Sequence, residues 1–200
     1  MAGWRMVGRG KEFSRLTAAV AARRGAVITG PAGVGKTTLA LSGVEWAGQR
    51  GMAHRRASAT RAAQGLPFGA FASLLPPGRS DAGTSPEDLG VLLGRYARAM
   101  VKATQGRPLL VFVDDAHLLD KGSAILVHQM ALTQAATVLA TVRAGEVPPD
   151  PVLSLWKDGP AERIEIGALD DETIEELLTS ALGGPVDAAT VRELAGRSRG

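Results

Sequence analysis

The chain has 200 residues, 45% of them hydrophobic, a net charge of +3 and no cysteine. That length suits one domain of ordinary size with apolar residues enough for a buried core, and the lack of cysteine excludes disulfides, thiolate metal sites and cysteine nucleophiles. No apolar run approaches a membrane span, and Met1-Ala2-Gly3-Trp4-Arg5-Met6 lacks the apolar core of a signal peptide, so a cytoplasmic protein without a membrane partner is expected.

In chain order, residues 11–24 place Phe13, Leu16, Ala19 and Val20 on one helical face and stop at Gly25, which predicts an amphipathic helix. The apolar run Ala26-Val27-Ile28-Thr29 predicts a strand. Gly30-Pro31-Ala32-Gly33-Val34-Gly35-Lys36-Thr37 follows at once and opens a helix over 36–50 that Gly51 ends. Glycines at these positions allow a tight turn whose N–H groups converge on a polyphosphate, while the helix N-terminus adds its positive end. In such a loop Lys36 reaches the β/γ-phosphates and the Thr37 hydroxyl takes Mg²⁺. Residues Gly30 through Thr38, including Thr38, are the candidate nucleotide residues.

Residues 52–59 predict a polar edge strand, and 60–84, rich in Gly, Pro and Ala, a long connection with a short helix around 70–75. Ser85-Pro86-Glu87-Asp88 is a helix start, and Leu89, Leu92, Leu93, Tyr96 and Met100 continue at helical spacing as a core stripe. Leu109-Leu110-Val111-Phe112-Val113 suits a strand buried on both faces. Asp114-Asp115-Ala116-His117 ends it: Asp114 is the candidate Mg²⁺ carboxylate and Asp115 the candidate base that orients or deprotonates a water. A helix over 121–135 precedes a strand over 137–142 that ends in Arg143. Arg163-Ile164-Glu165-Ile166 is a fifth strand, Asp170-Asp171-Glu172 starts a helix to residue 182, and Asp187 starts another that runs to the end. Strands separated by helices argue for a parallel sheet covered on both faces, a three-layer α/β fold.

The charge is uneven, with 18 basic and 8 acidic residues in 1–143 against 5 and 12 in 144–200. The cluster Arg50, His54, Arg55, Arg56 and Arg61 has no aromatics interleaved, so it reads as a solvated edge and helix face instead of a nucleic-acid platform. His54, His117 and His128 show no ligand spacing, which leaves Mg²⁺ as the metal implied. The chain contains no asparagine, so the guanine-reading Asn-Lys-x-Asp motif is impossible, and Leu41-Ser42-Gly43 lacks the rest of a transporter-ATPase signature. The acidic doublet favours an ATPase, with a small-molecule kinase as an alternative.

Five motifs in order resemble those of the STAND-type ATPases of the AAA-like superfamily, and among them the large ATP-binding regulators of the LuxR family. They are Val7-Gly8-Arg9-Gly10-Lys11-Glu12-Phe13, the Gly-rich loop, Ala59-Thr60-Arg61 with Leu66-Pro67-Phe68-Gly69, Asp114 through Asp120, and Thr141-Val142-Arg143; Gly167-Ala168-Leu169 resembles the entry to the family's helical lid. The resemblance implies a five-stranded P-loop sheet of order 5-1-4-3-2, an ATPase core over 1–167, and the start of a lid over 168–200. It places Arg143 beside the γ-phosphate as a third catalytic residue with Lys36 and Asp115, and Val7, Gly8 and Arg9 around the adenine. A surface Arg closing a strand, simple exposure and a polar turn residue stay open as alternatives for Arg143, Arg9 and His117, the last also read as a partner of the acids. It further implies an N-terminal fragment of a switch that binds ATP or ADP and hydrolyses slowly, self-association through the ATPase domain, and DNA contact only through a C-terminal domain beyond Gly200. An interaction module that binds nucleotide without turnover is the alternative.

Overall fold

The computed structural model describes residues 7–74, 86–182, 184, 186, 187, 190 and 191, without the side chains of 86–89 and 181. Five strands form one sheet: β1 (Ala26–Gly30), β2 (Ala53–Ser58), β3 (Leu109–Asp114), β4 (Thr137–Arg143) and β5 (Glu162–Glu165). They pair in parallel in the order β2-β3-β4-β1-β5, the expected order read from the other edge. Around them lie α1 (Gly10–Ala21), α2 (Lys36–Gln49), α3 (Pro86–Lys102), α4 (Lys121–Leu132), α5 (Asp150–Lys157) and α6 (Asp171–Leu182).

Burial explains the strand sequences. All of β1 and β3 is buried, and β4 is buried until Arg143, so these central strands read as continuous apolar runs. Edge strand β2 buries only Ala53 and Ala57. Alternate residues feed two cores. Ala26, Ile28, Phe112, Leu139 and Ile164 pack with Leu16, Ala19, Leu39 and Val44 from α1 and α2. Val27, Val111, Val113, Val138 and Val142 pack with Met100, Leu126, Met130 and Leu155 from α3, α4 and α5. Each fully buried Leu, Ile or Phe contributes about 1.5–3 kcal/mol by leaving water, so two continuous cores fix the sheet's register.

Three elements differ from the sequence expectation. The fourth helix stops at Leu132 instead of near 135, because Gln134 takes left-handed backbone (φ 54°) and turns the chain into β4. Helix α5 falls in a stretch to which the sequence pattern assigns no element. Its Pro-Pro-Asp-Pro start looks like a turn, yet Pro149 sits at the N-cap, Pro151 lies in the first turn where no N–H is needed, and Val152 and Leu155 bury one side. The short helix expected around 70–75 is a single 3₁₀ turn, Gly69–Phe71. The Ser85 cap, the proline-rich stretch from residue 75 to 84, and most of the helix expected after Asp187, with Arg197-Ser198-Arg199-Gly200, lie outside the described residues. Among the described residues no helix is long and apolar enough to cross a membrane.

Candidate functional site

Parallel strands all point the same way, so the ends of β1, β3 and β4 meet at one rim, where open α/β sheets bind ligands. β1 runs into the Gly-rich loop. Gly33 and Gly35 hold left-handed backbone (φ 77° and 91°), and a Cβ added at either would meet nothing within 4 Å. Their glycines are therefore demanded by the turn, and the space beside them is open for a ligand. At Gly30 the demand is different, since a Cβ would lie 2.3 Å from the Ile166 carbonyl oxygen. Gly35 caps α2 with no side-chain hydrogen bond, which leaves the helix's first N–H groups to an anion.

Lys36 is 8% exposed, and its Nζ donates to the Pro31 carbonyl at 2.5 Å, folded back over the loop. Burial lowers its pKa from the ordinary lysine value, Asp115 and Asp114 oppose that shift, and Arg143 reinforces it. An approaching phosphate would supply the counter-charge the ammonium lacks.

Asp114 gathers the strand ends. Its Oδ1 accepts from the Thr37 hydroxyl at 2.9 Å and the Thr141 hydroxyl at 2.8 Å, and its Oδ2 accepts from Arg56 at 3.0 Å. Thr141 Oγ1 in turn accepts the Asp115 N–H at 2.8 Å, so one hydroxyl on β4 fixes both acids. Asp115 itself is exposed, in left-handed backbone (φ 54°) that swings its side chain off the strand direction. His117 is buried, and its Nδ1 accepts the Arg143 N–H at 3.4 Å, tying the turn after β3 to the end of β4. Burial lowers the His117 pKa below the ordinary imidazole value, an effect that Asp115 and Glu146 oppose and Lys36 and Arg143 reinforce.

Beside Asp114 lies a pocket of about 430 Å³ with Ala32, Gly33, Gly35, Lys36, Thr37, Arg61, Asp115, His117, Arg143 and Glu146 on its walls. The predicted catalytic set, Lys36, Asp115 and Arg143, is thus brought together. Pro31 and Val34 support the loop through a carbonyl each, Pro31 to Lys36 and Val34 to Arg9 at 3.3 Å. Thr38 is exposed on the first turn of α2. Val7, Gly8 and Arg9 do not line the pocket; Arg9 instead links Glu12, Val34 and the Gly167 carbonyl, and Gly8 lies against Thr173 of α6.

The basic cluster does not stay together. Arg50 stacks on Trp46 at 4.0 Å and Arg55 donates to the His54 carbonyl, whereas Arg56 reaches Asp114 and Arg61 reaches the pocket. Sequence reasoning gave neither Arg a site role. For Arg56 the signal is the alternation of β2, which puts it on the same face as its register partner Phe112 and as Asp114.

The donor set fits Mg²⁺ bound with a polyphosphate: a hydroxyl, a carboxylate, an ammonium and open left-handed glycines. Among the described residues no cluster of three or more His, Asp or Glu could hold a metal alone. Magnesium tolerates this, since it keeps several waters and takes substrate phosphate oxygens.

A parallel sheet of this order, with a Gly-Lys-Thr loop after β1 and an acid after β3 two places away, is that of a P-loop NTPase. Residues 5–142 match the AAA ATPase domain family, and the chain belongs to it. No curated protein sequence matches the chain. In fold it is similar to the ORC1 protein of Aeropyrum pernix in complex with DNA (TM-score 0.60, 15% identity, 96% of this chain and 55% of that one). It is also similar to a Walker-type ATPase of Pyrococcus abyssi (0.57, 15%, 96% and 63%) and to AMPPCP-bound DnaA of Aquifex aeolicus (0.57, 19%, 94% and 56%). The chain spans little more than half the length of these structures.

Proposed function

We propose that the domain binds ATP with Mg²⁺ in the pocket between residues 30–38 and the Asp114–Asp115 turn, and hydrolyses it slowly as the switch of a larger regulator. The shared carboxylate carries this reading: Thr37 and Thr141 meet on Asp114 beside a pocket walled by Lys36, Asp115 and Arg143. The P-loop N–H groups and Lys36 would hold the β/γ-phosphates, and Arg143 would lie against the γ-phosphate. Thr37 and Asp114 would hold Mg²⁺, which when bound draws negative charge from the phosphate oxygens. Asp115 would orient a water and accept its proton. Its carboxylate is one methylene shorter than a Glu and stands exposed, which favours slow turnover. The same exposure supports the second reading, a module that holds nucleotide without turnover.

The regulator role rests on the ordered motifs that resemble the LuxR-family ATPases. In that reading 1–167 form the ATPase core and 168–200 begin a helical lid, with self-association through the core and DNA contact through other parts of the regulator. Two observations support the division. Ile174 and Val191 form a small apolar cluster of their own, and Arg9 bonds the Gly167 carbonyl where the two parts join. The adenine role of Val7, Gly8 and Arg9 would then use the seam between them.

ATP with Mg²⁺ is expected to raise the thermal midpoint of the domain and Lys36→Ala to abolish the rise, because a ligand of the folded state stabilises it with the logarithm of concentration over Kd. Equal shifts with GTP would count against adenine. Asp115→Asn separates the two readings: binding retained with turnover lost supports the ATPase, and no turnover in the parent supports the holding module.

A further inference from the structure

We propose that Arg56 is a built-in counter-ion of the metal carboxylate, and that it sets how much Mg²⁺ nucleotide binding requires. The proposal rests on the Mg²⁺–ATP reading above.

The Asp114 carboxylate is only 7% exposed and already has three protein donors. Two hydroxyls fill the lone pairs of Oδ1, and the Arg56 guanidinium takes one lone pair of Oδ2 at 3.0 Å. A buried carboxylate without a partner is costly, so in the absence of metal the guanidinium supplies the positive charge. Its place is set by β2. Arg56 pairs in register with Phe112 and Ser58 with Asp114, and the guanidinium lies 5.5 Å from the centre of the Phe112 ring on the way to Oδ2. The side chain is half exposed, so it can swing outward without leaving a hole in the core.

A divalent cation held by Thr37 and Asp114 must use the remaining lone pair of Oδ2, directly or through one of its waters. It then faces a like charge across the same oxygen. Arg56 therefore keeps the empty site neutral and opposes the metal as it enters, which makes Mg²⁺ the limiting ligand instead of the nucleotide. Lys36 and Arg143 do not share this role. Both face the pocket, and neither hydrogen-bonds to Asp114 among the described residues.

The test is a titration of MgCl₂ at fixed protein and fixed fluorescent N-methylanthraniloyl-ATP, read as nucleotide fluorescence, on the parent, Arg56→Gln, Arg56→Met and Arg56→Lys. Far-ultraviolet circular dichroism checks that each is folded. Arg56→Gln and Arg56→Met, the latter keeping an aliphatic stem on Phe112, are expected to lower the half-saturating Mg²⁺ about two- to fivefold, the range a half-exposed ion pair supplies. Arg56→Lys is expected to stay near the parent. An unchanged or higher Mg²⁺ requirement in both neutral variants overturns the role of Arg56 alone. A parent whose nucleotide uptake ignores Mg²⁺ overturns both this proposal and the reading it rests on.

Discussion

Asp114 and Asp120 stand six residues apart and are almost equally buried, at 7% and 8% exposure, yet they do opposite work. Asp114 is held by side chains from three elements: Thr37 of α2, Thr141 of β4 and Arg56 of β2. Asp120 is held mainly by backbone. Its Oδ1 accepts the N–H of Phe68 at 3.1 Å and of Ser123 at 3.0 Å, and its Oδ2 accepts the Ser123 hydroxyl. Partners of the first kind can rotate away and let a ligand in, whereas a backbone N–H left without its acceptor has nowhere to turn. One acid is therefore an exchangeable site and the other a rivet.

Breaking the rivet is expected to give the largest stability effect. Asp120→Ala removes the N-cap of α4 and strands the N–H of Phe68, a residue in left-handed backbone (φ 56°) whose ring packs edge-on to Tyr96 at 5.0 Å. Cap loss and one orphaned buried donor together cost about 2–4 kcal/mol, a fall in thermal midpoint of roughly 5–15 °C for a domain of this size. Nucleotide affinity measured on the folded fraction should not change. A variant that melts with the parent would show that Asp120 holds nothing.

Thr141→Val comes next, since it deletes a fully buried hydroxyl and leaves the Asp115 N–H without its acceptor. A loss of about 1–3 kcal/mol in urea unfolding is expected, with Thr141→Ser close to the parent. Equal stabilities for Val and Ser would remove the hydroxyl from the account. Asp114→Asn is expected to cost the least in folding, about 1 kcal/mol or less, because Oδ1 remains an acceptor and only the half-exposed Arg56 pair is lost. Its effect should appear in binding, as a loss of about tenfold or more in Mg²⁺-dependent nucleotide affinity with little change when Mg²⁺ is chelated. Equal losses with and without Mg²⁺ would make Asp114 a second rivet.

The same contrast decides what the sequence made legible. β1, β3 and β4 announce themselves because a strand buried on both faces must be apolar throughout. The loop at Gly33 and Gly35 does so because left-handed backbone favours glycine. Contacts between distant positions leave no such trace. Asp120 binds the N–H of a residue 52 positions earlier, and Arg56 reaches an acid 58 positions later. On an edge strand Arg56 looks like any solvated charge, and its role becomes visible only when parallel pairing puts it over Phe112. Helix α5 hid for a local reason, since prolines permitted in a first turn resemble those of a loop.

His117 offers the smallest and most selective test, because it links the two acids' turn to β4 through an acceptor that must be neutral. Its Nδ1 takes the Arg143 N–H, and burial holds its pKa below the ordinary value against Asp115 and Glu146, with Lys36 and Arg143 reinforcing the shift. In the unfolded chain the imidazole takes its proton near pH 6.5, but in the folded domain only at lower pH. Between those values the unfolded state binds more protons, so stability rises with pH through that window and levels off above about pH 6.5. His117→Gln removes this titration. Urea midpoints measured from pH 5 to pH 7 should climb more steeply for the parent than for His117→Gln, while the carboxylates and the other histidines act on both. Parallel curves would mean that the imidazole is indifferent to its proton and that the bond to Arg143 carries no stability.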